Sequence, residues 1–112
     1  MAAIEKKSFD SPDDIMKTAE NVKVEVITVG GFKLKRVTAQ PGWQWSKNLK
    51  PVVKTESCEI HHLLYVISGR LHARMNDGKE AEYGPGDVGV VPPGHDGWTV
   101  GNEPVVWLEI PH

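Results

Sequence analysis

The chain alternates from residue 22 onward. Val22, Val24 and Val26 are separated by Lys23 and Glu25, the period of two that marks a strand with one face buried. Gly30-Gly31 interrupts the pattern. Phe32 and Leu34, alternating with Lys33 and Lys35, open a second strand, and Pro41-Gly42 ends it. Trp43 and Trp45 fall on one side if the next segment is extended. Upstream, Ser11-Pro12-Asp13-Asp14 has the form of a helix start. A serine caps, a proline fits the first turn, and two acids suit the positive end of the dipole. Ile15 and Ala19 then share a face, so the sequence predicts a short helix that must dock to be stable.

The second half reads as strand and turn, repeatedly. Ser68-Gly69, Asp77-Gly78, Pro85-Gly86, Pro93-Gly94 and Gly101-Asn102 are turn signals spaced seven to nine residues apart. Asp77-Gly78 suits a tight hairpin, which needs positive φ at both central residues. Between the turns lie the strand candidates 63–67, 70–75, 88–91 and 105–110. Short strands at this spacing predict an antiparallel all-β sandwich or closed barrel rather than βαβ units.

Composition narrows this to one small domain. The 112 residues are 39% apolar and 25% charged, with a formal net charge of −2. Nothing in that balance argues for nucleic acid, which needs a clustered basic face. No stretch approaches the roughly 20 apolar residues of a membrane span, and residues 1–10 lack the apolar run of a signal peptide. Cys58 is the single cysteine, so an internal disulfide is impossible and a reducing compartment is expected. The expected location is the cytoplasm. The expected organisation is an arm and short helix over 1–21, then a barrel over 22–112.

The second half resembles the cupin superfamily. The second motif of that family, G-x5-P-x-G-x2-H-x3-N, is met at Gly86, Pro92 and Gly94, and Gly69 closes its first motif, G-x5-H-x-H, then three or four residues, then E-x6-G. The resemblance spans about Gly42 to Glu109 and includes Tyr65-Val66-Ile67-Ser68-Gly69-Arg70 and Pro92-Pro93-Gly94-His95-Asp96. Its wording looks like a branch of small bacterial single-domain cupins. It implies a two-sheet jelly-roll barrel, a double-stranded β-helix, with an interior pocket. It implies no single reaction. The metal motif diverges. His62 stands where the family has glutamate, and Glu56 and Cys58 (or Thr55 and Ser57) replace the H-x-H pair. Gly97 takes the place of the last histidine, with His95 two residues earlier.

Strand parity nevertheless gathers the substitutes. Glu56, Cys58 and His62 share one face of an unbroken strand, and His95 keeps the face of the residue it replaces. Carboxylate, thiolate and imidazole together suit one divalent transition metal, zinc or iron. Each has a plainer reading as well: Cys58 as a small buried hydrophobe, Glu56 as a solvated acid, His95 as a hydrogen-bond partner of Asp96 or backbone in a loop. Which of His61 and His62 points inward stays open. Around the cluster, His61, Tyr65, Trp43, Trp45 and Trp98 are candidate ligand contacts, with Trp98 walling the same pocket as His95. An aromatic-lined interior with a few polar groups suits a small organic molecule. His72 is expected at the surface.

Three readings follow. One is a metal-dependent cupin that binds or transforms a small molecule; in its enzymatic form, an open metal position activates water, O2 or a substrate oxygen. Another is a metal-free binding or sensory module. The third is a docking domain, marked by a broad apolar surface. Under each, a homo-oligomer is expected, a two-fold dimer by default, with the N-terminal arm and first strands available for pairing.

Overall fold

In the computed structural model the described residues are 3–19, 21–48, 50 and 61–111, without the side chains of 17–19. They form nine strands and one short helix: β1 (Asp14–Ala19), β2 (Val22–Val29), β3 (Phe32–Ala39), α1 (Trp45–Asn48), β4 (His62–Ser68), β5 (Leu71–Met75), β6 (Glu80–Tyr83), β7 (Val88–Val91), β8 (His95–Thr99) and β9 (Val105–Glu109). All pairings are antiparallel. A six-stranded sheet runs β1-β2-β3-β9-β4-β7, and a three-stranded sheet runs β6-β5-β8. Val22, Val37, Leu64, Val66, Leu71, Ala73, Val91, Val105 and Trp107 contribute to one apolar cluster. Both sheets supply it, so it is the filling of a two-sheet barrel. The antiparallel jelly-roll class is the one expected.

The N-terminal helix is corrected. Residues 14–19 form a strand against β2, with Asp14 opposite Val26 and Met16 opposite Val24. Ser11 therefore caps no helix, and the Asp13 carboxylate accepts from Thr28 N at 2.8 Å and from Lys7 Nζ at 2.8 Å. A six-residue helix gains little on its own. The open edge of β2 offers the same residues backbone partners, with one irregularity between Met16 and Ala19. The short helix of this fold is α1.

Two local patterns also differ from the alternation. On β3 the inward face carries Val37 and Ala39, so Lys35 and Lys33, not Leu34 and Phe32, continue it toward the barrel mouth; Phe32 is exposed. On β2 both faces are covered, because Glu25 is buried under Arg36 and the arm. Arg36 Nε donates to Glu25 Oε1 at 2.9 Å, and its guanidinium lies 5.1 Å from the Phe9 ring centroid. The arm therefore packs on its own sheet. Glu5 accepts from Gly30 N in the same arrangement.

The turn glycines behave as their positions require. Gly69 has φ +73°, and a Cβ there would run into the Pro104 carbonyl oxygen and lie 2.7 Å from Val105 Cα. Only glycine lets the β4–β5 turn pass this close to the start of β9. Gly78, with φ +92°, turns β5 into β6, and its N–H donates to Met75 O at 2.9 Å.

Candidate functional site

The wall of the site begins at the β3 exit. Gly42, at φ +89°, turns the chain so that Trp43 and Trp45 both enter the core, each 6% exposed. They share a side although Trp45 already starts α1. Asp96 holds this segment in place: its carboxylate accepts from Gln44 Nε2 at 2.8 Å and Ser46 N at 3.0 Å. Thr99 N donates to Trp43 O at 3.0 Å. Trp43 and Trp107 pack at 6.1 Å between centroids, tilted by 52°. Trp43 Nε1 is buried and has no hydrogen-bond partner among the described residues.

Two histidines face each other across the barrel. His62 opens β4 with Leu64 and Val66 on its inward face. His95 opens β8 and is 5% exposed. Their rings lie 5.0 Å apart at 66°. His95 is thus on a strand, not in a loop. The segment His95–Thr99 lacks the branched apolar residues of a strong strand, but pairing with β5, Met75 opposite His95, supplies its backbone partners.

Hydrogen bonds fix both rings. Glu109 Oε1 lies 2.7 Å from His62 Nδ1 and accepts from Trp107 Nε1 at 2.8 Å. An ionised carboxylate only accepts, so His62 Nδ1 carries its proton toward Glu109. His95 Nδ1 lies 2.7 Å from Pro92 O. A carbonyl also only accepts, so His95 Nδ1 is likewise the donor. In the neutral form of each ring the lone pair is then at Nε2. Hydrogen-bonding of one ring nitrogen to a carboxylate or carbonyl is how proteins orient imidazole for a metal or a ligand.

These groups line a cavity of about 580 Å³, a size suited to a small organic molecule. Its floor and sides are apolar, including Trp43, Trp45, Trp107 and Leu64. Among the described residues, its polar lining is His61, His62, His95 and Glu109, with Lys33 and Lys35. Glu109, Lys33 and Lys35 were not among the sequence candidates. Parity was the available signal for Glu109, which shares the inward face of β9 with the buried Val105 and Trp107.

The remaining candidates divide. His62 points into the barrel, while His61 precedes the strand, is exposed, and still reaches the cavity lining. Glu56 and Cys58 lie outside the described residues. Tyr65 does not line the cavity; it stands on the opposite face of β4 from Leu64 and is 38% exposed. Trp98 does not wall the cavity either, because His95, Gly97 and Thr99 take the inward positions of β8. Instead Trp98 stacks on His72 at 4.6 Å, on the outside of the small sheet. There Arg70 and then His72 hold the Glu82 carboxyl below its usual range. Among the described residues, no three His, Cys, Asp or Glu side chains gather as a metal-binding group. The described residues thus supply two oriented imidazoles, which by themselves are not a complete metal donor set.

Comparison with known proteins places the fold. The chain aligns over 97% of its length with the polyketide cyclase RemF from Streptomyces resistomycificus, at 16% identity and a TM-score of 0.67, covering 79% of that chain. It aligns over 87% with the oxalate decarboxylase of Lactobacillus farciminis, at 21% identity and a TM-score of 0.59. A variant of the Bacillus subtilis oxalate decarboxylase matches over 88%, at 27% identity and a TM-score of 0.61. The chain spans only 30% and 27% of those two decarboxylase chains. A search of the curated proteins finds no sequence match. Among the described residues no helix is long and apolar enough to cross a membrane. The family model of the cupin domain matches residues 54–111, over half of the chain, so the chain, with its two-sheet barrel, belongs to the cupin family.

Proposed function

We propose that this cupin binds a small organic molecule in its barrel, beside one divalent transition metal, zinc or iron, held in part by His62 and His95. The observation that carries the reading is the anchoring of both Nδ1 atoms, His62 on Glu109 and His95 on Pro92 O, which presents Nε2 as the donor of each ring. Glu56 and Cys58 are the proposed further ligands from the segment before β4. Such a metal, when bound with an open position, supplies Lewis acidity to a ligand oxygen. The chain's own residues do the rest. Glu109 keeps His62 in one tautomer, Trp107 shares that carboxylate, and the tryptophan wall keeps water from the body of the ligand. The proposed assembly is a two-fold homodimer.

Elemental analysis of untagged protein, alone and as His62→Ala and His95→Ala, tests the reading. About one metal per chain, lost in both variants, is the expected result. Wild-type protein that takes up no zinc, iron, manganese, nickel or copper, even on reconstitution, would rule it out.

A metal-free reading has its own support in the His62–Glu109 pair, 2.7 Å apart in the cavity wall. That pair is able to hold a ligand by hydrogen bonds alone. Under this reading a bound metabolite raises the melting temperature of metal-free protein, because a ligand specific to the native state must stabilise it.

A further inference from the structure

Two lysines stand at one end of the cavity, and their placement follows from register. Lys35 lies opposite Glu109 in the β3–β9 pairing, and Leu64 lies opposite Glu109 in the β4–β9 pairing. Lys33 and His62 are each two residues farther toward the same end of their strands. Side chains two apart share a face, so Lys33, Lys35, Glu109 and His62 are neighbours on the inner surface of the large sheet. All four line the cavity.

Among the described residues, cationic side chains outnumber carboxylates in this lining. Lys33 and Lys35 contribute two ammonium groups to the lining, and Glu109 is its one carboxylate among the described residues. That carboxylate is turned to His62 and Trp107 rather than to Lys35. Next to this charged end the lining is apolar and aromatic, with Leu64, Trp107, Trp43 and Trp45. A wall of this kind, cationic at one end and aromatic along its depth, is complementary to a molecule with an anionic head and an apolar body.

We propose that the cavity's ligand is an organic acid, its carboxylate at Lys33 and Lys35 and its apolar body against Trp43, Trp45 and Trp107. This rests on the reading of the barrel as a small-molecule site, and it names the chemical class of the molecule. It is independent of the metal. An ammonium at a half-open mouth gains only modestly from one carboxylate, but two act on the same charge, and the apolar depth fixes the molecule's orientation.

Calorimetric titration with naphthylacetate and with naphthylacetamide isolates the charge, because the two share a body. The expected result is that the acid binds about tenfold more tightly than the amide, a difference near 1.4 kcal/mol. Lys33→Gln and Lys35→Gln each reduce affinity for the acid, and together they abolish the preference while binding of the amide is unchanged. The preference also falls with added salt, as expected for an exposed charge pair. Equal affinity for acid and amide, or a preference that survives in the double variant, overturns the assignment of the charged end while the cavity stands as a small-molecule site. Failure of both compounds to bind at millimolar concentration overturns the proposal together with the small-molecule reading. Metal content measured on the same samples keeps the fate of the His62–His95 reading separate.

Discussion

Glu109 is the residue on which the site turns. One of its oxygens accepts from Trp107 and faces His62 Nδ1, so a single carboxylate fixes an indole, an imidazole tautomer and the end of β9. Glu109→Gln keeps the shape but offers a neutral amide. It is expected to destabilise the fold by about 1–3 kcal/mol, the range for a lost charge-assisted hydrogen bond at a partly buried group, measured by urea unfolding. It is also expected to weaken metal binding by about 10–100-fold, the usual cost of losing the group that orients a ligating histidine. Unchanged metal affinity would show that His62 is oriented by something other than Glu109. Residue identity alone did not reveal this glutamate, because its neighbours Leu108 and Ile110 made the segment read as an ordinary strand end. Trp98 errs in the other direction. Its closeness to His95 in sequence suggested a shared pocket, and an odd separation along β8 sends the two side chains to opposite faces.

Strand pairing governs what each element contributes. Glu25 and Arg36 are opposite each other in the β2–β3 register, and Glu25 is 6% exposed. The hydrogen bond from Arg36 holds the Glu25 carboxyl below its usual value, against the opposing effect of burial, and the Arg36 guanidinium is raised in turn. Glu25 therefore binds its proton less readily when folded. Its contribution is complete above the unfolded-state value of 4.5 and is lost as pH falls through the lower folded-state value. Chemical denaturation between neutral and strongly acid pH is expected to show stability falling below pH 4.5, with a smaller fall in Glu25→Gln. An equally steep fall in the variant would assign the acid sensitivity to other carboxylates. The same pairing logic explains why residues 14–19 are a strand. Their local signals favour a helix, but pairing with the β2 edge gives them cross-strand backbone partners instead.

At the scale of the whole molecule, the large sheet has a wet apolar outer face. Tyr65 and Ile67 on β4, with Val88 and Val90 on β7, are 38–61% exposed, and the register sets Tyr65 beside Val88 and Leu63 beside Val90. A continuous apolar sheet face on a small domain is the kind of surface that oligomers cover. The expected assembly is a two-fold dimer with this face inside, because a self-complementary patch closes on itself. Sedimentation at micromolar concentration checks it: wild type is expected to run as a dimer and Tyr65→Glu/Val88→Lys as a monomer, whereas a monomeric wild type would remove the proposal. Within its own chain the arm lies over Arg36, with Phe9 against the guanidinium.

What the sequence by itself determined is what local chemistry controls. Turn glycines and prolines set the strand lengths, period-two patterning set the antiparallel class, and the spacing of Gly69, Gly86, Pro92 and Gly94 carried the family. It also placed His62, His95, Trp43 and Trp45 among the candidates, all of which line the cavity. The tertiary structure alone decided which partner each strand took, and so which face was inside. That put Lys33, Lys35 and Glu109 into the cavity and Tyr65 and Trp98 outside it. The reason is physical: alternation reports that a strand has two faces, but only the sheet packed against it determines which face is buried.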